Sequence, residues 1–368
     1  MLFILELNMY KQQEILDEYE EVIENVVPPQ DIFAFNESRS CADLKRMYDK
    51  KQIDISPDFQ REQVWKLRDQ TRFLDSLLKN LPIPSMCISL DISSQKRVVI
   101  DGLQRISTIV KFLDAVENDD EFQLSSLDDI DDRLSGMKIK QIKECFPEVI
   151  SFIENVSIPV TVLRCDLSKQ DHMDYIFTIF HRLNTGGVKL NNQEIRNCIF
   201  NGKLNNLLVN CAIDKYNEIK ALLGSENSRF AFEEFILRFF AFQDEFSIYR
   251  GNLTKFLNDY MARYKMIDDE EFEKKKTLFS EVIDLVFANN IDHKKFSKVI
   301  LEAILYGVAK NLEYLKNGAN VDLSTRYETL ISLEEFKTEN LQGGLMQKQK
   351  VEARLNQANN VFGDSFQK

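Results

Sequence analysis

The sequence predicts an α+β protein whose strands lie in the N-terminal half and whose remainder is all helical. Three observations carry this prediction. Only 12 Gly and 7 Pro occur among 368 residues, under half the usual proportion, which leaves few turn positions and favours long helices. Short strand-like runs, SMCISL (85–90), RVVI (97–100) and SIPVTVLR (157–164), all precede residue 165. From about 192 onward apolar residues recur at helical spacing, with no convincing strand, repeat or low-complexity tract. The chain therefore divides near residue 205, into an N-terminal helical segment (1–37), an α+β part (38–205) and a helical part (206–368).

Composition narrows the class. Hydrophobic residues make up 44% of the chain and Phe occurs 27 times, which excludes a mainly disordered or fibrous protein. The formal net charge of −12 excludes coating of nucleic acid by bulk positive charge and leaves only a local basic face. The six cysteines contain no Cys-x-x-Cys pair and the three histidines are far apart, so neither a disulfide framework nor a metal site is signalled. No apolar run approaches the ~20 residues of a membrane span. The best candidate, 299–308, is interrupted by Glu302. The expected location is the cytoplasm.

Element by element, residues 10–26 read as a charged helix stopped at Val27-Pro28-Pro29. A short strand DIFAF (31–35) follows, then a helix capped by Ser40 and an extended Ile53-Asp54-Ile55. A helix over 67–80 places Leu67, Leu74, Leu77, Leu78 and Leu81 on one side and ends before Pro82 and Pro84. The strands 85–90 and 97–100 flank a hairpin loop, Ser93 to Lys96. The second strand runs directly into Asp101-Gly102-Leu103-Gln104-Arg105, after which Ile106, Ile109, Val110, Leu113 and Val116 repeat at helical spacing. Residues 117–132, rich in carboxylates, read as a solvated surface loop. A helix and the strand 157–164 lead to a helix with Met173, Ile176, Phe177 and Phe180 on one face, ending at Asn184-Thr185-Gly186-Gly187. Helices are then expected at 192–201, 203–212, 230–244, 252–265, 269–288, 297–316 and 346–360.

Three clusters could carry chemistry. At Asp101–Arg105 a strand delivers the chain to a helix N-terminus, where backbone N–H groups lack partners and the macrodipole is positive, so an anion is favoured. A structural reading competes: Asp101 as N-cap with Gln104 at N3 is close to a capping box, and Gly102 is a turn residue. Arg105 speaks against that reading. A cation in the first turn is disfavoured by ~0.3–1 kcal/mol, and a bound phosphate would reverse the sign. The second cluster is Phe59-Gln60-Arg61-Glu62-Gln63-Val64-Trp65, whose bland reading is a loop plugging the core with Phe59 and Trp65. The third is His181-Arg182-Leu183-Asn184-Thr185-Gly186-Gly187, with Leu190 to Arg196 after it. There Arg182 suits a helix C-terminus and Asn191 or Asn192 a cap, yet Asn-Thr-Gly-Gly also offers open backbone N–H groups to a phosphate.

In this order, PDFQREQVW, LLKNLPIPSM, VVIDGLQRISTIVKFL and IFHRLNTGGVKLNNQEIRN closely resemble the N-terminal domain of GmrSD-type modification-dependent restriction endonucleases. The likeness is specific over about residues 38–200 and continues loosely through FEEFILRFFAF and YRGNLTKFLNDYM to the helix near VEARLNQANNVF. It implies a ParB/sulfiredoxin-like nucleotide-binding core with a small mixed sheet and an Asp-Gly-Gln-Gln-Arg signature for NTP binding and hydrolysis. Leu103 replaces the first Gln, either as an inward-facing helix position or with loss of a catalytic contact. On the matching positions, Asp101, Gln104 and Arg105 are the expected catalytic group, with Arg105 and Arg61 on phosphate oxygens. Gln60, Gly102, Arg182, Asn184, Thr185 and Gly186 complete the expected nucleotide pocket. Trp65 supports it, as do Glu194 and Arg196 as an ion pair. Asp101 either caps the helix or reaches the phosphates through Mg²⁺, the cofactor expected with the nucleoside triphosphate.

The family's nucleases pair this domain with a His-Asn-His nuclease, fused or separate. Beyond 205 the only histidine is His293, so the chain is expected to be a stand-alone member and not a nuclease by itself. The expectation is an NTP-hydrolysing regulatory protein of a phage-defence or restriction system, with a separate nuclease or other defence subunit, and DNA, as partners. The alternative is a non-catalytic DNA-binding or scaffold module that uses the same pocket for a phosphate or modified base.

Overall fold

The computed structural model describes residues 27–55, 65–120, 122–183, 190–223, 230–288, 297–317, 322–337 and 339–364. The expected helix at 10–26 lies outside them, as does His293. The architecture is α+β, and the chain divides between Leu190 and Asn191 into a sheet unit and a helical unit.

The sheet unit is built on five strands, β1 (Phe33–Ser40), β2 (Ile53–Asp54), β3 (Met86–Asp91), β4 (Arg97–Asp101) and β5 (Ser157–Cys165). Their order is β1-β5-β3-β4-β2. The sheet is mixed: β1 runs antiparallel to β5, β3 parallel to β5 and antiparallel to β4, and β2 parallel to β4. β1 extends well beyond the DIFAF run, through the polar Asn36–Ser40. An edge strand needs no apolar pattern on its outer side, so hydropathy understates its length.

One sheet face is covered by helices that the sequence pattern forecasts. Ser40 caps α1 (Cys41–Asp49) by accepting from the Asp43 N–H. In α2 (Leu67–Leu78) Leu74 and Leu77 are buried, whereas Leu67 and Leu81 are exposed because they lie at the first residue and beyond the last turn. In α3 (Leu103–Glu117) all five expected core positions, Ile106, Ile109, Val110, Leu113 and Val116, are buried. They pack with Ile88, Val99, Val160 and Val162 of the sheet in one core. Two short helices, α4 (Ile139–Cys145) and α5 (Pro147–Asn155), precede β5, and α6 (Gln170–Leu183) follows it and packs on β4.

The expected solvated loop at 117–132 needs correction. Leu124 and Ile130 are buried in that same core, and the Asp131 N–H donates to Asp75 at 2.9 Å. Carboxylates dominate the composition of this stretch, but its apolar residues point inward and hold it against the helices.

The helical unit comprises α7 (Asn192–Ile199), α8 (Lys203–Asp214), α9 (Tyr216–Leu223), α10 (Ala231–Glu245), α11 (Leu253–Arg263), α12 (Asp269–Ala288), α13 (Lys298–Lys310), α14 (Leu312–Asn317), α15 (Leu323–Ser332) and α16 (Lys348–Phe362). The helix expected over 297–316 is two, broken at Asn311. α9 and α15 lie outside the expected segments. α10 and α13 are buried over most of their surface, and α13 packs closely on α16 at Gly307, where a Cβ would stand 2.6 Å from the Ala358 carbonyl oxygen. Buried Glu302 on α13 bonds Arg238 on α10 at 2.7 Å. No helix among the described residues is long and apolar enough to cross a membrane.

Candidate functional site: the strand-to-helix junction

β4 pairs with β3 as Val99↔Ile88 and then Asp101↔Cys87, with a bulge between. The extra residue, Ile100, re-aims Asp101 to the face opposite the core. Asp101 thereby joins a row set by register across four strands, Asn36↔Thr161↔Cys87↔Asp101. Along it the Thr161 hydroxyl donates to Asn36 Oδ1 at 2.9 Å and lies 3.1 Å from the Ser85 hydroxyl. Burial pushes the Cys87 thiol up to about 12, with the Asp101 charge adding to it, so Cys87 is a neutral member of the row.

Gly102 then turns the chain with φ +99°, and a Cβ there would stand 2.6 Å from Met86 Cγ. Both the left-handed backbone and the close approach exclude a side chain. Gly102 is itself the N-cap of α3, without a side-chain cap and without an acidic residue in the first turn. The capping-box reading is thus overturned: Asp101 ends the strand, and Gln104 bonds elsewhere. The helix presents its first N–H groups uncapped.

Arg105 folds back over this end. Its Nη2 donates to Asp101 Oδ2 at 3.0 Å and its Nη1 to the Pro84 carbonyl. Its side chain is only 12% exposed, against 41% for Asp101. Burial pulls the guanidinium down from its ordinary value while Asp101 opposes. A desolvated cation beside a positive helix end, with one half-exposed carboxylate as counter-ion, is an environment that gains from an anion.

Gln104 faces another way. Its Oε1 accepts from the Trp65 N–H at 3.3 Å, and the Trp65 carbonyl accepts from Gln70 at 3.0 Å. The Trp65 ring packs edge-on against Phe73 at 5.6 Å. Gln104 and Leu103 also line a cleft of about 430 Å³ with Tyr48, Ile55, Lys111 and Phe122. At 100° per residue this flank of α3 is turned away from Arg105. Lys111 lies 4.2 Å above the Phe122 ring, and burial lowers its pKa against the pull of Asp120. Leu103 is therefore a cleft-lining position. The sequence reading missed Lys111, although its spacing of seven from Gln104 puts it on the same helix flank.

The structure brings together Trp65 with Gln104, and Asp101 and Gly102 with Arg105. Gln60, Arg61, Asn184, Thr185 and Gly186 lie outside the described residues. Arg182 is exposed in the last turn of α6. Glu194 and Arg196 sit on α7, which groups with the helical unit. There Glu194 completes a capping box with Asn191, accepting from its N–H at 2.7 Å. Arg196 donates to Asn258 at 2.9 Å and Gln193 at 3.2 Å and lies 3.6 Å from Glu234.

Fold and junction define an α+β module whose strand-to-helix turn opens on a helix N-terminus without a side-chain cap. Residues 44–201 match the family model described as the GmrSD restriction endonuclease, N-terminal domain. The matched segment contains the four motifs that resemble this family. No curated protein and no solved structure matched the chain.

Proposed function

We propose that the Asp101–Arg105 junction binds and hydrolyses a nucleoside triphosphate, and that the chain is a regulatory protein of a phage-defence or modification-dependent restriction system. A nuclease on a separate chain and DNA are its proposed partners. The observation that carries the nucleotide reading is Arg105, a desolvated guanidinium at an uncapped helix N-terminus whose approach is kept open by Gly102. The GmrSD description of residues 44–201 supports the restriction setting.

In this reading a phosphate takes the Arg105 fork from Asp101 and lies on the N–H groups that open α3. Gln104, held by the Trp65 N–H on the flank turned away from Arg105, is a positioning residue for the Trp65 segment and not the expected catalytic group on the phosphate. Among the described residues no group of three or more His, Cys, Asp or Glu side chains is placed to hold a metal. Asp101 therefore suits Mg²⁺ that arrives with the phosphates, which needs only one or two carboxylates. Bound there, Mg²⁺ would offset the charge of the phosphate oxygens. Catalysis rests on positioning and charge stabilisation, with no covalent nucleophile.

The test is a panel of the four common triphosphates with Mg²⁺, read by calorimetric binding and by phosphate release. At least one should bind and turn over, and Arg105→Ala should weaken binding. Binding without phosphate release would remove hydrolysis from the proposal; no binding to any of the four would remove all of it.

A further inference from the structure

The cleft of about 430 Å³ lies on the flank of α3 turned away from Arg105. Its size is that of a small-molecule pocket. Ile55, Leu103, Val110 and Ala115 make much of its lining apolar, and the rings of Tyr48 on α1 and Phe122 beyond α3 add aromatic surface. Leu103, where the chain departs from its signature, thus widens the apolar lining. Ser107 and Lys111 enter from the same flank of α3, one turn apart. Neither side chain makes a hydrogen bond or an ion pair among the described residues. The Lys111 amine stands 4.2 Å above the Phe122 ring, and burial lowers its pKa, a shift that a bound anion would oppose.

Charge and shape select the ligand. Two carboxylates share the lining. Asp114 is already held by Lys45 at 3.0 Å, and Asp120 attracts Lys111 without closing an ion pair with it. One cation without a closed partner, flanked by two acids, accepts a single negative charge. A triphosphate or a run of phosphodiesters carries more and would be repelled by both acids. A carboxylate fits the charge, and its two oxygens take the amine and the neighbouring hydroxyl as donors. The rest of the ligand meets aliphatic and aromatic surface, where a flat ring buries area and packs against Tyr48.

We propose that this cleft is a binding site for a small aromatic monocarboxylate, with the carboxylate on Lys111 and Ser107 and the ring against Tyr48 and Leu103. The site is separate from the phosphate site read at the junction and stands or falls without it. Neither the junction motif nor the family description assigns it.

The experiment is equilibrium dialysis of the full chain against 2-naphthoate, its neutral carboxamide, its aminomethyl counterpart and nonanoate, an acid without a ring. Naphthoate should bind at least about tenfold more tightly than the carboxamide, the difference expected of a charged hydrogen bond, and more tightly than the amine or nonanoate. Lys111→Gln should bring naphthoate and the carboxamide to equal affinity, whereas Lys111→Arg should keep most of the preference for the acid. This ratio does not depend on how much of a variant is folded, so a merely structural role for Lys111 would not move it. Leu103→Gln should weaken naphthoate and the carboxamide alike. Arg105→Ala should leave naphthoate binding intact, and Lys111→Gln should leave triphosphate binding intact, which separates failure of this proposal from failure of the other. Absence of naphthoate binding overturns it, as does equal affinity of the native chain for acid and carboxamide or a preference that survives Lys111→Gln. Nonanoate binding as tight as that of naphthoate, or displacement of naphthoate by a triphosphate with Mg²⁺, also overturns it.

Discussion

Arginine is buried in both units of this protein, and it is used differently in each. In the helical unit Arg238 is fully buried, 2.7 Å from Glu302 and 3.9 Å from Glu234, while Glu234 also binds Lys298 at 3.0 Å and lies 3.6 Å from Arg196. Cations and carboxylates there satisfy one another away from water. In the sheet unit Arg105 has one carboxylate, itself 41% exposed, and stands at the positive end of a helix. The first arrangement is closed within the protein, and the second leaves room for the anion proposed for it. Burial of a charge therefore does not mark function; an open remainder in its partnership does.

The largest expected effect lies in the closed network. Glu302→Ala leaves Arg238 buried against a lost partner and should cost about 3–5 kcal/mol, read as a fall in the denaturant midpoint of the helical unit. An effect below about 1 kcal/mol, the range of a surface pair, would erase the contrast between the two arginines. Next comes Gly102→Ala, where φ +99° and the 2.6 Å approach to Met86 should cost ~1–3 kcal/mol. Nucleotide binding should fall with it, because the turn that opens the helix N-terminus is displaced.

Acid provides a graded version of the comparison. Burial works against the Glu234 charge, but Lys298, Arg196 and Arg238 outweigh it and hold the carboxyl down at about 2. A depressed folded-state pKa contributes stability that is present above the ordinary carboxylate value and is lost as pH falls through the folded one. The helical unit should therefore lose stability from about pH 4.5 toward pH 2, and Glu234→Gln should flatten that slope in urea titrations. Asp31 is also held at about 2, by Lys169 and His172, yet its side chain is 53% exposed, where solvent screens the pair, and Asp31→Asn should leave the acid slope nearly unchanged.

Much of the fold was legible because periodicity reports burial. The apolar positions of α3 and α6, and the two strands that frame the hairpin, needed no tertiary information. What was not legible depended on contacts distant in sequence. The β3–β4 bulge that re-aims Asp101 leaves no signature in RVVI, so Asp101 read equally well as a helix cap. Residues 117–132 read as solvated because carboxylates outnumber the Leu and Ile that point inward. The junction was legible from motif order, whereas a cleft lined by Arg39, Arg46, Lys51, Lys96 and Arg97 was not, since these residues meet only when α1 carries the chain from one sheet edge to the other. Arg196 and Glu234 are 38 positions apart in sequence, and only folding shows Arg196 closed in by α10 and α11 partners.

The most direct test of the central claim is the affinity for nucleoside triphosphate with Mg²⁺ of the native protein against Arg105→Ala and Arg105→Lys, with folding checked by circular dichroism. The account predicts binding by the native chain, loss of roughly tenfold or more in Arg105→Ala, as expected for ~1.5–3 kcal/mol from a charged hydrogen bond, and partial recovery in Arg105→Lys. Equal affinity of the native and Arg105→Ala proteins would contradict it.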